Sequence, residues 1–311
     1  MDLLSSSGTA TLVATETPET ATNAAPPPHA ASCLNCGHAV PLRYCGRCGQ
    51  DAHHTHRLTL KDMPHDVLHS IWHVDKGILY TLKTMVRRPG VSIRAYLDGQ
   101  RVDHFRPLSL LFLITGLYAL LFSALRIDMI PPRDPAMPEA MHQMQVSFST
   151  FFMKYLTWCY LATVPIWALS ARWFLRRGGY NYAECLIIAS FITAINNFIT
   201  LLLLPVTYVY SGTPQVQTFS FYALLLVIGY ASWAYGSLLN HTTIGWLGRL
   251  WRGFMTFMLG YVMLIIVGIF LMFALNWSSI KQSVRQKAQA KQEQQRQAAS
   301  AQPPQATPRP Q

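Results

Sequence analysis

The chain from Pro107 onward is dominated by long apolar stretches that alternate with short polar loops. A helix needs about 20 residues to cross a hydrocarbon core of about 30 Å, since each residue adds about 1.5 Å. The pattern therefore predicts an all-α polytopic membrane protein, with about five transmembrane helices in residues 107–276. The predicted spans are residues 107–125, 155–175, 185–206, 219–240 and 254–276.

An amphipathic helix is predicted just before the first span, within a charged cytoplasmic or interfacial region that covers residues 57–106. On a helical wheel, polar and basic side chains between Asp62 and Arg87 fall on one arc and apolar ones fill the opposite half. The sequence Arg88-Pro89-Gly90 ends this helix, because proline disfavours a helical residue before it. Such a helix lies flat in the membrane interface or docks on the membrane helices.

The two ends of the chain have no apolar period. Residues 1–31 are rich in Ala, Thr, Ser and Pro, which predicts a disordered leader. Residues 277–311 are rich in Gln, Ala and basic residues, which predicts a disordered basic tail. Between the leader and the amphipathic region, residues 32–50 contain four closely spaced cysteines and form a small domain of their own.

Charge is scarce and unevenly placed. Only 13% of the residues are charged, about half the share of a soluble domain, and none lies between Cys185 and Gly248. Such a run cannot cover a water-facing surface, which excludes a soluble enzyme. Basic residues collect before the first span and in the second–third and fourth–fifth loops, which predicts a cytoplasmic N-terminus. Five spans would leave the tail outside although it is basic, so the side of the C-terminus stays open.

The cysteine domain has the spacing of a zinc ribbon. Cys33, Cys36, Cys45 and Cys48 form two CxxCG turns separated by eight residues. Two residues between the cysteines of each pair let one tight turn present both sulfurs to one ion, and the glycine after each pair tolerates positive φ. A reducing cytoplasm favours metal over disulfides. We expect one structural zinc ion, because four thiolates leave no open position for catalysis.

The amphipathic helix offers a possible second metal site. His65, His69 and His73 repeat every four residues, and Asp62 and Asp66 lie nearby. Imidazoles at i and i+4 share one helix face, as metal ligands on a helix require. Two alternatives stay open for the same residues. They can be a solvated polar face without a ligand, or a cluster that senses pH.

The predicted spans contain no ionisable residue in their interiors, although transport and proton paths usually need one. Asn196 and Asn197 are adjacent in the third span, where asparagine more often joins helices by hydrogen bonds than binds a substrate. Cys159 and Cys185 are interpreted as buried small hydrophobic residues.

Several motifs together resemble the DUF3667 family, a domain of unknown function in bacterial membrane proteins. The motifs are the two CxxCG pairs, Leu68-His69-x-x-x-His73-x-Asp75-x-Gly77, Tyr80-Thr81, Arg88-Pro89-Gly90, Tyr96-Leu97-x-Gly99-x-Arg101 and Phe105-x-Pro107. The resemblance covers about residues 33–115. It implies a bacterial inner membrane, several spans and a zinc-ribbon-like start, and it implies no activity.

We therefore expect a non-enzymatic membrane adaptor or assembly factor, anchored in the bilayer and bound to a cytosolic or membrane protein through its zinc ribbon. Arg43 and Arg47 are too few to indicate nucleic acid. The alternative is a membrane-embedded metalloenzyme that acts on a lipid-like substrate through His65, His69 and His73. A transporter or channel ranks third, because charged residues are missing from the spans.

Overall fold

The computed structural model describes residues 32–40, 43–52, 57, 59, 77–128 and 138–275, with positions 277, 278, 281, 282, 285, 289 and 292 of the tail. From Gly77 onward the described chain consists of helices and their connections, and the β pairing of the described residues is a single bridge between Tyr44 and Asp51. The predicted disordered leader, most of the predicted tail and the histidine-rich stretch of the amphipathic region lie outside the described residues.

Eight α-helices follow one another in the described part of the chain. They are α1 (Gly77–Arg87), α2 (Pro89–Leu97), α3 (Pro107–Ala124), α4 (Glu139–Lys154), α5 (Leu156–Phe174), α6 (Tyr182–Val209), α7 (Gln215–Ser237) and α8 (Trp246–Leu275).

Local sequence signals account for several helix ends. Arg88 adopts φ −144° between α1 and α2, because the proline that follows disfavours helical geometry before it. Pro107 stands in the first turn of α3, where a missing backbone N–H costs nothing. At the start of α6, the Asn181 side chain accepts from the Glu184 amide, and the Glu184 carboxylate accepts from the Asn181 amide. This reciprocal pair satisfies two backbone donors at the helix start.

Four helices, α3, α6, α7 and α8, are long and apolar enough to cross a membrane, which supports a membrane protein. The sequence predicted about five spans. The second predicted span is indeed a helix, α5, but it contains Pro165 and carries Arg172 in its last turn. It is less apolar than the other four and does not qualify by composition alone.

Helix α6 lies at the centre of the bundle. Its first half is the most buried part of the described chain, with Ile188, Phe191 and Ile195 almost without exposed surface. Lower down the helix, the Asn197 amide donates to the Thr115 hydroxyl of α3 at 2.7 Å. Such a polar contact joins two helices in an environment that offers no water.

The second half of α5 packs antiparallel to α8. The Arg252 guanidinium donates to the Phe174 carbonyl at 3.4 Å, and the Ser170 hydroxyl donates to the Thr256 carbonyl at 2.6 Å. One helical turn further on, the Trp167 indole lies across the backbone of Gly260. Positions on the two helices therefore advance one for one in opposite directions.

Helices α1 and α2 dock on the bundle instead of standing apart from it. Met85 and Ile93 are each 1% exposed. The Tyr230 hydroxyl of α7 donates to the Met85 carbonyl at 3.1 Å, and the Tyr96 ring of α2 meets Phe191 of α6 edge to face, with centroids 5.1 Å apart. Residues 77–97 therefore form a wedge against α6 and α7 at one end of the bundle.

We predict that Gly253→Ala destabilises the protein, whereas Gly116→Ala does not. A Cβ at Gly253 would collide with the Ser232 carbonyl of α7 and lie 2.6 Å from the Gly236 nitrogen, whereas a Cβ at Gly116 meets nothing within 4 Å. Overpacking of this kind costs about 1–3 kcal/mol. Thermal unfolding in detergent should show a lower midpoint for the first variant only. Equal midpoints would contradict the close contact between α7 and α8.

Candidate metal centre

Two matching turns build the cysteine module, which we define as residues 32–52. In the first turn, the Gly37 amide donates to the Cys33 carbonyl at 2.8 Å and the Cys33 amide donates to the His38 carbonyl at 2.7 Å. The second turn repeats both bonds at the equivalent positions of the second CxxCG. Gly37 and Gly49 have φ of +73° and +77°, a region that favours glycine. Both glycines therefore adopt the positive φ for which the sequence predicts them.

The turns bring four sulfurs together. The Sγ atoms of Cys33 and Cys48 are 3.5 Å apart, as are those of Cys36 and Cys45, and all four lie within 4.8 Å of one another. A tetrahedron with metal–sulfur bonds of about 2.3 Å has edges of about 3.8 Å. The cluster can therefore hold one metal ion, with no position left for a substrate.

The second turn favours a thiolate at its first cysteine. Hydrogen bonds from the backbone amides of Cys48 and Arg47 lower the pKa of Cys45 to about 6. Burial raises the pKa of Cys48 to about 12, so the second cysteine of this turn keeps its proton in the absence of a cation. Thiolates are the form that binds metal, and Cys45 supplies one at neutral pH.

The module is docked on the turn that follows α2. The Gln50 side chain donates to the Gly99 carbonyl at 2.8 Å and accepts from the Arg101 amide at 3.3 Å. The Asn35 side chain donates to the Asp103 carboxylate at 3.3 Å. Gly99 has φ +102°, so the turn takes a shape that other residues rarely adopt. Gln50 is 5% exposed, and it satisfies the backbone of this turn as a buried polar side chain should.

A buried polar network continues from this turn into the wedge. The Thr81 hydroxyl donates to the Gly77 carbonyl and accepts from the Phe105 amide, both at 2.7 Å. The His104 Nδ1 lies 3.0 Å from the Gln100 carbonyl, and its Nε2 lies 2.9 Å from the Ser92 hydroxyl. A carbonyl can only accept, so Nδ1 carries the proton and Nε2 accepts from serine in the neutral ring.

Burial lowers the pKa of His104, although the hydrogen bond to Gln100 and the charge of Asp103 oppose this shift. The imidazole is therefore neutral at pH 7. The Ser92–His104 pair has the spacing of a nucleophile and its base, but both side chains are buried, at 6% and 7% exposure. Their role is to hold the turn in place.

Arg57, just beyond the module, is clamped to the start of α6. Its guanidinium forms two hydrogen bonds to the Glu184 carboxylate, at 2.7 and 3.0 Å, and one to the Gly179 carbonyl at 2.8 Å. Bidentate pairs of this kind are stronger than single contacts. The hydrogen bonds to Glu184 also raise the pKa of Arg57 above its usual value.

The other predicted site residues have different outcomes. His65, His69, His73, Asp62 and Asp66 lie outside the described residues, so the second metal site stays a prediction. The two remaining cysteines, one in α5 and one at the start of α6, are absent from the four-sulfur cluster.

An apolar groove of about 930 Å³ opens between α7 and α8. Ser232 is the one side chain with a hydroxyl, amide or charge among its described lining residues, which include Leu225, Leu247 and Trp251. The groove has room for a hydrocarbon chain. Its described lining supplies no titratable side chain for general acid–base chemistry.

Residues 75–119 match the model of a protein family described as "Protein of unknown function (DUF3667)". This match confirms the resemblance drawn from the motifs. No curated protein and no solved structure matches the chain.

The structure gives packing roles to several motif residues inside the matched range. A Cβ at Gly77 would lie 3.1 Å from the Asp103 carbonyl, and one at Gly90 would collide with Ser237 of α7. The Arg101 guanidinium lies over the Tyr96 ring, 5.8 Å from its centroid. These residues seat the wedge and the turn on which the cysteine module rests.

Sequence reasoning did not identify Gln50, His104 or the Arg57–Glu184 pair, and it named Thr81 only as a motif residue, without the contacts that it makes. Only the Arg57–Glu184 pair left a readable local signal, since Asn181 and Glu184 have the spacing of a capping box. The other contacts join distant parts of the chain, and no short motif encodes them.

We predict one metal ion per chain in the purified protein, measured by elemental mass spectrometry. A Cys36→Ser/Cys45→Ser variant should lose it, because two remaining sulfurs cannot fill a tetrahedral shell. The matched control, Cys159→Ser/Cys185→Ser, should retain it. A second ion that disappears in a His65/His69/His73→Ala variant would establish the additional site. Unchanged metal content in the Cys36/Cys45 variant would contradict the assignment of the centre.

Proposed function

We propose that the protein is a non-enzymatic membrane adaptor or assembly factor, whose cysteine module folds around one structural zinc ion and binds a protein partner. The observation that carries the proposal is the closed cluster of four sulfurs, docked through Gln50 on the end of a membrane helix bundle. A closed cluster serves structure rather than catalysis.

Zinc is the metal that suits these ligands best. Four thiolates in a tetrahedron favour zinc or an iron site over harder cations. The module also needs a metal for its stability, because the apolar core formed by its described residues consists of little more than Val40, Ala52 and the cysteines. Segments this small rarely fold without such a cross-link. We therefore treat the module as a zinc ribbon.

The partner surface that we propose lies on the outer side of the module. Leu34 and Tyr44 are 47% and 55% exposed, although both stand next to a metal-binding cysteine. The Arg43 guanidinium lies 5.3 Å from the Tyr44 ring centroid. Exposed tyrosine and arginine on a rigid support are typical of protein interfaces.

We further propose five spans, with α5 as the second. Its contacts with α8 run from Phe174 near the start of α8 to Trp167 beside Gly260. If this residue-by-residue pairing continues, the start of α5 lies beside the last third of α8. Both helices then extend through the same depth of the membrane. Arg172 lies in the last turn of α5 and can extend to the interface. With five spans, the distribution of basic residues supports an N-terminus on the cytoplasmic side of the membrane, which we propose to be a bacterial inner membrane.

We predict that Glu139→Cys and Arg177→Cys are labelled from opposite sides of the membrane. Both positions are exposed, and they flank α4 and α5. A membrane-impermeant maleimide should modify position 139 in intact cells and position 177 only after permeabilisation, with peptide mass spectrometry to identify the labelled cysteine. Labelling of both from the same side would contradict the crossing of α5.

We predict that a benzophenone amino acid at position 44 cross-links to a discrete protein in cells. The adduct should disappear in the Cys36→Ser/Cys45→Ser background, because the partner surface requires the folded module. Tyr208 is a matched control, since it is 52% exposed but lies at the far end of α6. An adduct at position 44 that does not depend on the cysteines, or no adduct above that at position 208, would contradict the adaptor proposal.

A further inference from the structure

The side of α1 that faces away from the bundle carries apolar and basic side chains together. Leu79 is 78% exposed and Val86 is 39% exposed. Lys83 and Arg87 are also exposed and share their arc of the helix, and the exposed Arg88 follows directly. We propose that this surface, the basic face (Leu79, Lys83, Val86, Arg87 and Arg88), binds the headgroups of anionic phospholipids in the surrounding membrane.

The contacts of the wedge with α7 fix the depth of the basic face. The Met85 carbonyl accepts a hydrogen bond from Tyr230, which lies seven residues before the end of α7 at Ser237. Gly90 packs against Ser237 itself. At about 1.5 Å per residue, Met85 lies about 10 Å inside the end of a membrane helix. At this depth headgroups give way to acyl chains, and amphipathic helices insert their apolar side chains there.

The combination of apolar and basic side chains on the basic face fits the boundary between headgroups and acyl chains better than it fits water. The inner side of α1 already buries Thr81, Leu82 and Met85 against the protein. The large exposed surface of Leu79 on the opposite side is stabilised only if acyl chains cover it. The long stems of Lys83 and Arg87 can lie along acyl chains while their charges reach the phosphates.

Within the described residues, no carboxylate neutralises the charge of the basic face. Helix α1 contains no Asp or Glu. In the regions that the structure describes, the ion pairs join Arg43 to Asp51 and Arg57 to Glu184, which leaves the basic face without a carboxylate partner. Basic residues near a membrane surface attract anionic lipid, and their contributions add.

Binding at the basic face would also steady the support of the cysteine module. Thr81, on the opposite side of α1, holds the Phe105 amide, and the turn before Phe105 carries Gln50. Anionic lipid therefore acts on the same wedge that positions the module. This inference does not depend on the adaptor function and adds a lipid requirement to it.

The test uses the full-length protein in nanodiscs that contain equal amounts of phosphatidylglycerol and phosphatidylcholine. Native mass spectrometry of the released protein measures the ratio of retained phosphatidylglycerol to retained phosphatidylcholine. We expect Lys83→Gln/Arg87→Gln/Arg88→Gln to lower this ratio about tenfold. The control, Lys154→Gln/Lys281→Gln/Arg285→Gln, removes three exposed basic residues beyond the other end of the bundle and should change it less than about twofold.

A charge-preserving variant, Lys83→Arg/Arg87→Lys/Arg88→Lys, should keep the wild-type ratio. Thermal unfolding in pure phosphatidylcholine verifies that all variants are folded, since the altered side chains are exposed. An equal loss of selectivity in the control variant, or an unchanged ratio in the first variant, would overturn the proposal. Selective retention of phosphatidylglycerol by the wild type and the charge-preserving variant, but not by the first variant, would support the proposal.

Discussion

The C-terminal end of α7 holds the rest of the structure together. The last carbonyls of a helix have no partner within the helix, and Leu238 is fully buried in the protein, away from water. Here the Arg94 guanidinium donates to the carbonyls of Ser237 and Leu238 at 2.9 and 3.0 Å, and the Tyr180 hydroxyl donates to Leu238 at 2.9 Å. The charge of Arg94 also suits the negative end of the helix dipole. Helix α2, the loop before α6 and the turn into α8 are therefore fixed at one place.

The position of the metal centre follows from this anchor. Helix α2 leads directly into the turn at Gly99, on which Gln50 holds the cysteine module, and the same turn continues through Phe105 into α3. Arg57 adds a second attachment at the start of α6. Gln50 thus binds the module to the turn after α2, and Arg57, just beyond the module, binds the chain to α6. Binding of a partner to the module would therefore act directly on the helix bundle.

The features that the sequence predicts well are those that short stretches of chain encode. The two CxxCG turns predict the sulfur cluster because each turn forms from five residues, and the length of each apolar stretch predicts a helix. The contacts that assemble these parts are not encoded locally. Gln50 reaches Gly99, and Arg94 reaches Ser237, across long separations along the chain, and only the folded bundle brings them together. The proposed crossing of α5 depends in the same way on its contacts with α8, because its own composition does not qualify it as a span.

The basic tail conflicts with five spans only if all basic residues have equal weight. Positive charges act on orientation most strongly in short loops near the ends of early helices, and here those residues also build the structure. Arg94 caps α7, and Arg252 donates to the last turn of α5. By contrast, Lys281 and Arg285 are exposed on the C-terminal side of Leu275. Reversal of the bundle to bring the tail inside would carry the structural arginines across the membrane, together with the cysteine module. In the proposed arrangement with five spans, the structural arginines therefore outweigh the exposed basic residues of the tail.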